Sequence, residues 1–426
     1  MKLPHSYTLL LGIIVFIGII SWFIPGATHA TPIDMLMAPV QGFKDGADLA
    51  FYLFIIGGLI NILTKSKALD AGLSSLGNIM KGRESVLIPI LMILLAFGGT
   101  TFGMCEETLA FYPVIIALML AAGYDLIVPV SVILVGSGAG VLGSTINPFA
   151  TIIASNIGNV PIGSTFIINT VTLVVSVVIA MTYTMRYASR VKAHPELSIV
   201  YHETQNTHFT KPEGVTFTPR RKLALAEFIA TFIIMIWGIV TRDWYMDEMS
   251  VLFIASTLII ALTLGYKEKA LIDDFIEGAE DILSVTIIIA LARGISVIMA
   301  GTGITEILLD SLVTYMSHLS GWVFSVSVYF LEIAMSFLLS GTSSLAAVTM
   351  PILVPLGEGA HVGGEVVINA YQAASGVVNY VTPTSGVIVG ALAIAKVPFE
   401  KWVKYVAPLM LMTIIASVVI LILFSL

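Results

Sequence analysis

Charged residues and cysteine are both scarce in this sequence. Only 11% of its 426 residues are charged, whereas soluble domains carry about 25%. Cys105 is the single cysteine, which excludes an intramolecular disulfide and a cysteine-based metal site. The nucleotide-binding pattern GxxxxGK[ST] is absent, which argues against a primary pump. The seven histidines fall at predicted segment ends or in loops, which argues against a membrane enzyme.

Apolar residues make up 57% of the chain, and its mean hydropathy is +0.99. A run of about 17–25 apolar residues is long enough to cross a bilayer. The first run follows Lys2 without a clear small-residue cleavage site after it, so we interpret it as a retained span rather than a signal peptide. The composition therefore predicts an all-α polytopic membrane protein. Spans are predicted at 7–25, 48–64, 128–157 (interrupted), 164–185, 223–240, 249–266, 284–302, 366–395 (interrupted) and 402–425.

One long polar stretch, 186–222, separates these spans. It holds seven Lys and Arg residues and three Glu, so the positive-inside rule places it in the cytoplasm. The N-terminus is predicted to lie on the same side, and the protein is predicted to lie in the inner (cytoplasmic) membrane. Its content of Pro, Thr and His favours a flexible linker. We therefore expect a first unit over 1–185, a joining span over 223–248 and a second unit over 249–426.

Two segments are apolar but too short for comfortable spans. Residues 86–99 and 109–122 flank a polar, glycine-rich stretch, and irregular backbone at membrane depth is tolerated only inside protein or beside a water-filled cavity. A re-entrant helical hairpin over 86–122 satisfies that condition. The same form recurs over 321–358, where the tip reads SGTSS.

The two hairpins also align with each other. Gly341 follows Gly103 by 238 positions, and Pro351 follows Pro113 by the same interval. Lysines follow the span 48–64, whereas the matching stretch after 302 contains Glu306, Asp310 and His318 without Lys or Arg. The two units therefore have opposite predicted orientations. Paired, interrupted segments in inverted repeats indicate a transporter with its binding site near the midplane.

Both interrupted spans break at a proline. Asn147 precedes Pro148 and Thr382 precedes Pro383, so each pair is predicted to cap and start a new helix half. A broken helix offers carbonyl oxygens to a cation and N–H groups to an anion; the alternative is an ordinary proline kink. The candidate substrate- and ion-binding residues are Thr100, Thr101, Gly103, Glu106, Glu107, Ser144, Thr145, Asn147, Ser340, Gly341, Thr342, Ser343, Ser344, Asn379, Thr382, Thr384 and Ser385. Ser144, Asn147 and Thr382 are the candidate Na⁺ ligands.

Acidic residues within the predicted membrane segments are functional candidates, because an intramembrane acid is costly. We expect one of Glu106 and Glu107 to cap the second helix of the first hairpin and the other to face the site. Glu332 is interpreted either as the partner of Arg293 in a buried ion pair or as a proton carrier.

Lys and Arg are absent over 84–185 and 294–395. A dicarboxylate would then have to bind through helix N-termini and a co-bound cation. A substrate with one carboxylate and one ammonium fits better, since its ammonium would meet Glu106 or Glu107. A basic amino acid adds a second cation for that pair.

Four segments resemble a known family: GSTINPFA, SGTSS-LAA-TMP, NY-V-TPTSG and AIAKVPFEKW are similar to the YfcC/DcuC/ArcD-like carriers of the ion transporter superfamily. The resemblance covers nearly the whole chain. It implies an elevator-type secondary transporter, a homodimer, a mobile domain of hairpins and broken helices, and a scaffold of the remaining spans. The hairpin tips lack the asparagine of the Ser-Asn-Thr motif found elsewhere in the superfamily.

These observations together favour a secondary transporter of amino acids, basic ones among them, or of related small organic acids. Na⁺ coupling, H⁺ coupling and exchange all stay open, and no other cofactor and no nucleic-acid partner is expected. A C4-dicarboxylate carrier is the alternative, and an ion channel is a weaker one, because paired broken helices favour occluded binding over a continuous pore.

Overall fold

In the part of the chain that it describes, the computed structural model contains α-helices, 3₁₀ turns and π-helical turns joined by short connections, and no strand. That part comprises residues 6–69, 71–72, 84–206, 216–242, 244, 246–305, 307, 316, 319, 321–339 and 341–426.

Three helices open the chain: α1 (Ser6–Ile20), α2 (Pro32–Asp45) and α3 (Ala47–Lys65). The first predicted span, 7–25, is too long, since the chain turns after Ile20. The sequence analysis missed α2, which is short and only moderately apolar. A capping box fixes its start, because the Thr31 hydroxyl accepts from the Asp34 N–H at 3.3 Å and the Asp34 carboxylate accepts from the Thr31 N–H at 2.8 Å.

Hairpin 1 and broken helix 1 follow. Hairpin 1 consists of α4 (Leu87–Phe102), a 3₁₀ turn (Glu106–Phe111) and α5 (Tyr112–Ala121). Broken helix 1 consists of α6 (Ile127–Leu142), which contains a π-helical turn, and α7 (148–158). The predicted interruption is confirmed, since residues 143–147 leave the helix.

The helix after broken helix 1, α8 (Ile162–Ala193), outruns its predicted span by two turns. Its last turns carry basic residues, which the negative end of a helix dipole favours. A 3₁₀ turn (Pro195–Leu197) and a short helix, α9 (Tyr201–Asn206), follow.

The flexible-linker interpretation of 186–222 is therefore wrong for its first part. Residues 194–206 are docked, because the Ser198 hydroxyl donates to Asp125 at 2.5 Å and the Lys401 ammonium donates to Glu203 at 2.7 Å. Burial raises the pKa of Glu203, but the hydrogen bonds and charge of Lys401 outweigh it and hold that pKa below its ordinary value. Residues 207–215 lie outside the described residues.

The second half begins with α10 (Pro219–Arg242), α11 (Met246–Leu264) and α12 (Glu268–Thr302). α12 starts far earlier than the predicted span 284–302, because an acidic, amphipathic stretch extends it; Glu277 in that stretch pairs with Lys65 at 2.9 Å. The remaining elements are hairpin 2, made of α13 (Gly321–Leu338) and α14 (Thr342–Gly359), broken helix 2, made of α15 (Gly364–Val378) and α16 (Gly386–Ile394), and α17 (Phe399–Ser425).

Six helices of the described residues are long and apolar enough to cross a membrane, namely α3, α8, α11, α12, α13 and α17. The chain is thus a multi-pass membrane protein. With 18 residues at 1.5 Å each, α13 is about 27 Å long. This first helix of hairpin 2 is thus nearly as long as the hydrocarbon core of a bilayer is thick. That the hairpins enter and leave the membrane on the same side therefore stays a prediction.

The helices pack in two groups. The first group contains α1, α2, α3, α10, α11 and α12, which contact one another around α3 and α12. The second group contains both hairpins, broken helix 1, the first half of broken helix 2 (α15), α8 and α17, while α16 packs mainly on α12 of the first group. The family resemblance assigned α8 and α17 to a scaffold, but here they pack along the broken helices instead. The groups meet chiefly where α12 contacts α16.

Glycines bring the helices of the second group close together. A methyl group added at Gly140 of α6 would lie 2.1 Å from the backbone oxygen of Ala96 on α4, and one at Gly99 would lie 2.2 Å from the backbone oxygen of Ser137. Small residues at such crossings let helices pack by van der Waals contact where lipid provides no hydrophobic driving force. This contact holds hairpin 1 against broken helix 1.

Gly140→Ala should destabilise the protein, because α4 and α6 must separate to admit the methyl group. Overpacking of this kind costs about 1–3 kcal/mol, so the melting temperature in detergent should fall by several degrees. Gly12→Ala on α1 is the matched control, since a methyl group there meets nothing within 4 Å. Equal melting temperatures for the two variants would contradict the close contact.

Candidate functional site

A cavity of about 740 Å³ lies between the two packing groups. Hairpin tips and a helix break line it from the second group, and α2 and α12 line it from the first. Ten of the predicted site residues contribute to this lining: Gly103, Glu106, Glu107, Gly341, Thr342, Ser343, Ser344, Asn379, Thr384 and Ser385.

The other predicted residues are placed differently. Ser340 lies outside the described residues. The Thr101 hydroxyl donates to the Phe97 carbonyl of its own helix at 2.6 Å, as threonines in membrane helices commonly do. Thr100 lies in the last turn of α4, where its hydroxyl binds the first break. The rest lie in the helix breaks, where they bind other parts of the protein: Ser144, Thr145, Asn147 and Thr382.

The first break is bound to the tip of hairpin 1. The Thr100 hydroxyl donates to the Gly143 carbonyl at 2.8 Å and accepts from the Thr145 N–H at 3.1 Å. Asn147 caps α7 by accepting from the Phe149 N–H at 2.9 Å, as the sequence predicts. These hydrogen bonds satisfy backbone groups that would otherwise be unpaired in an apolar environment.

The second break has a different cap from the one predicted. α16 begins at Gly386, with Ser385 at its N-cap position, so Thr382 does not cap the helix and Pro383 is not its first residue. The Thr382 and Thr384 hydroxyls lie 2.7 Å apart, and Thr384 donates to the Phe337 carbonyl of hairpin 2 at 3.3 Å. The segment 379–385 is longer than the first break, and Pro383 lies in a turn.

The two acidic residues at the tip of hairpin 1, Glu106 and Glu107, have different surroundings. The Glu107 carboxylate accepts from the Cys105 N–H at 3.0 Å and so caps the start of the 3₁₀ turn; it is only 5% exposed. Glu106 is more exposed and lines the same cavity. Glu107 thus caps this turn rather than α5, whose N-cap residue is Phe111, and it also contributes to the cavity wall.

Four further polar residues line the cavity from the first group: Gln41, Asp45, Arg293 and Ser296. The Arg293 guanidinium donates to the Asp45 carbonyl at 2.8 Å. The predicted ion pair of Arg293 with Glu332 is wrong, since neither carboxyl oxygen of Glu332 has a partner among the described residues. Arg293 was considered from the sequence only as a partner of Glu332, and its place in the cavity wall was not predicted, because position 293 lies one residue before the long interval without Lys or Arg.

The cavity has two chemically different sides. Three carboxyl side chains, those of Asp45, Glu106 and Glu107, can receive cations. Two helix starts, at Gly341–Ser344 of hairpin 2 and Ser385–Val387 of broken helix 2, also line it, and no described side chain caps either one. Because a helix N-terminus carries partial positive charge, these starts and Arg293 form the side suited to an anion.

A buried polar network links the two halves behind the cavity. The Asn369 amide donates to the Asn169 side chain at 2.9 Å, and Asn169 donates to the Ser144 carbonyl in the first break at 2.6 Å. The Gln372 amide donates to Thr151 of α7 at 2.7 Å. Broken helices 1 and 2 are therefore joined by side-chain hydrogen bonds as well as by packing.

Comparison with known proteins identifies the class of this molecule. Residues 28–425 match the family model of the C4-dicarboxylate anaerobic carrier, DcuC. The chain therefore belongs to the DcuC carrier family, and it is a membrane transporter, as the sequence resemblance indicated.

Curated relatives are similar over most of the chain. An uncharacterized protein of Haemophilus influenzae is 32% identical over 382 residues, which cover 88% of this chain and 75% of the relative. The putative basic amino acid antiporter YfcC of Escherichia coli K12 is 30% identical over 404 residues, covering 90% and 79%.

Solved transporter structures are more distant. Neisseria gonorrhoeae MtrF, described as one of a class of antimetabolite efflux pumps, is 16% identical, with 100% of this chain and 96% of that chain covered and a TM-score of 0.40. The Alcanivorax borkumensis YdaH transporter is 13% identical, with 99% and 98% covered and a TM-score of 0.45.

Gly103→Ala should disrupt the tip of hairpin 1. Gly103 has a φ of +67°, and a methyl group there would lie 2.6 Å from the Asn147 side chain that caps α7. Gly123→Ala is the matched control, because its φ is +85° but nothing lies within 4 Å. Both variants carry the backbone strain of a positive φ, so a greater loss of transport and thermal stability in Gly103→Ala would measure the Asn147 contact. Equal losses would contradict it.

Proposed function

We propose that this protein is a secondary carrier for amino acids of net positive charge, which it moves across the cytoplasmic membrane by ion coupling or exchange. The observation that carries the proposal is the charge of the cavity. Asp45, Glu106 and Glu107 line it, with Arg293 as the one cation among the described lining residues. A substrate with two cationic groups and one carboxylate complements that arrangement.

The carboxylate of such a substrate would bind on the side of Arg293 and the two helix starts. Arg offers a planar, permanently charged donor group that suits carboxylates, and helix N-termini add N–H donors. The α-ammonium and the side-chain cation would bind to the acidic side, with Glu106 as the most accessible carboxylate of the hairpin pair. The name of the YfcC relative, a putative basic amino acid antiporter, agrees with this substrate class.

The two packing groups support an elevator mechanism. The second group would carry the hairpin tips and the helix breaks as one body, and the first group would form a fixed scaffold through which two copies dimerise. Two inverted repeats would supply the equivalent outward- and inward-facing states, with the N-terminus and the 186–222 segment on the cytoplasmic side. Ser144 and Asn147, whose side chains lie 3.1 Å apart, are the proposed contributors to a Na⁺ site at the first break, if Na⁺ is the coupling ion.

A C4-dicarboxylate carrier is the second candidate. Two observations favour it: the description of the family model and the presence of Arg293 in the cavity. A dicarboxylate would place one carboxylate on Arg293 and the other on the helix starts. The three carboxyl side chains then oppose binding unless they are neutralised by protons or a bound cation.

Purified protein in proteoliposomes should take up labelled arginine or ornithine in preference to succinate. Glu106→Gln should reduce that uptake at least tenfold, equivalent to about 1.4 kcal/mol or more, because a cationic group loses its carboxylate in a low-dielectric site. Glu358→Gln is the control, since Glu358 is exposed at the far end of α14. If the protein took up succinate but not arginine, and if Glu106→Gln left succinate uptake unchanged, the dicarboxylate function would replace the proposal.

Arg293→Gln should weaken uptake of the same substrates through their carboxylate. The loss should be smaller for an analogue whose carboxylate is blocked as an amide, because that analogue makes no ion pair with Arg293. Measuring competition by the free acid and by the amide in both proteins separates this effect from a general loss of folding. Equal competition by acid and amide in the unmodified protein would exclude Arg293 from carboxylate binding.

A further inference from the structure

One acidic side chain of the second group has no role in the cavity. Glu332 of α13 is 0% exposed, and neither of its carboxyl oxygens has a hydrogen-bond partner among the described residues. An ionised carboxylate that is buried and unpaired is strongly disfavoured, more so in a membrane. Its chemistry in this conformation depends on the groups that face it.

No cation among the described residues faces this carboxyl. Tyr371 approaches it from α15 and Thr349 from α14. α17 contributes Ser417, which contacts Tyr329 one turn before the acid, and the guanidinium of Arg293 on α12 is bound at the cavity instead. The groups found near this carboxyl are therefore the hydroxyls of Thr349 and Tyr371.

The hydroxyls of Thr349 and Tyr371 already donate their hydrogens to backbone carbonyls. Thr349 donates to the Leu345 carbonyl at 2.9 Å, and Tyr371 donates to the Thr342 carbonyl at 2.7 Å. Each can then only accept a hydrogen bond from Glu332. An ionised carboxyl has no hydrogen to donate, whereas a protonated one has an O–H. The surroundings thus match the neutral acid, because the hydroxyls of Thr349 and Tyr371 can accept a hydrogen bond but have none left to donate.

We propose that Glu332 is the proton-binding site of this carrier and couples proton binding to the tip of hairpin 2. When the proton leaves, the carboxylate attracts the hydroxyls of Tyr371 and Thr349 away from their carbonyl acceptors. Tyr371 then releases the carbonyl of Thr342, the first residue of α14 and part of the cavity lining. The proton thereby changes the cavity without entering it. This inference rests on the proposed carrier function for its coupling role, but not for the proton itself.

Infrared spectroscopy of the purified protein in lipid tests the proton directly. At neutral pH, the difference spectrum between the unmodified protein and Glu332→Gln should contain the carbonyl stretching band of a protonated carboxylic acid. Glu227→Gln is the matched control: Glu227 of α10 also has an oxygen without a described partner, but its other oxygen accepts from Thr263 at 2.7 Å. Thr349→Val should shift the band by removing a neighbouring hydroxyl. Absence of a protonated-carboxyl band that depends on Glu332 would overturn the proposal.

Transport tests the coupling. An imposed pH gradient of one polarity should accelerate arginine uptake several-fold in the unmodified protein and in Glu227→Gln. In Glu332→Gln, which mimics the protonated acid in shape and charge, arginine exchange at equal pH should persist while the acceleration is lost. Persistence of the acceleration in Glu332→Gln would overturn the coupling. If no cationic amino acid is transported by the unmodified protein, the proposed function fails, and the infrared result still decides whether Glu332 holds a proton.

Discussion

The backbone polar groups of the first helix break lie outside any helix and must find hydrogen-bond partners within the protein, and the packing of hairpin 1 on broken helix 1 depends on that need. Thr100 supplies these partners, since its hydroxyl and its carbonyl both bind the segment that follows α6. The carbonyl accepts from the Thr145 and Ile146 N–H groups at 3.2 and 3.4 Å. In return, the break holds the tip of hairpin 1 in place. Because each element completes the other's hydrogen bonds, hairpin and broken helix behave as a single piece, and the glycine contacts between α4 and α6 reinforce it.

The cavity inherits its character from this arrangement. Hydroxyls at the first break are engaged in structural hydrogen bonds, whereas the starts of α14 and α16 line the cavity without a side-chain cap among the described residues. Carboxylates come from the hairpin 1 tip and from α2, and the single guanidinium comes from α12. Both packing groups thus contribute charge, so a change in their relative position changes the binding site itself.

Sequence patterns predicted the elements whose chemistry is local. Pro148 with Asn147 marks a helix start by its fixed φ and its side-chain cap, and both hairpins are bounded by glycine-rich tips, so these were recognised. Features that depend on residues distant in the sequence were not predicted. α2 is too short and polar to be found by hydropathy, Arg293 joins the cavity only through the packing of α12 on α2, and the cap of α16 moves to Ser385 because the second break is anchored to Phe337 of hairpin 2. The amphipathic ends of α8 and α12 were missed because apolar runs delimit membrane segments rather than helices.

Docking of residues 194–206 has a mechanical consequence. Asp125 and Lys401 fasten that segment to the second group, so the chain passes from the second group to the first only between Asn206 and Pro219. Thirteen peptide units reach at most about 45 Å when extended. The covalent chain therefore sets an upper limit on the distance between Asn206 and Pro219, and with it on any displacement of α10 relative to the docked segment.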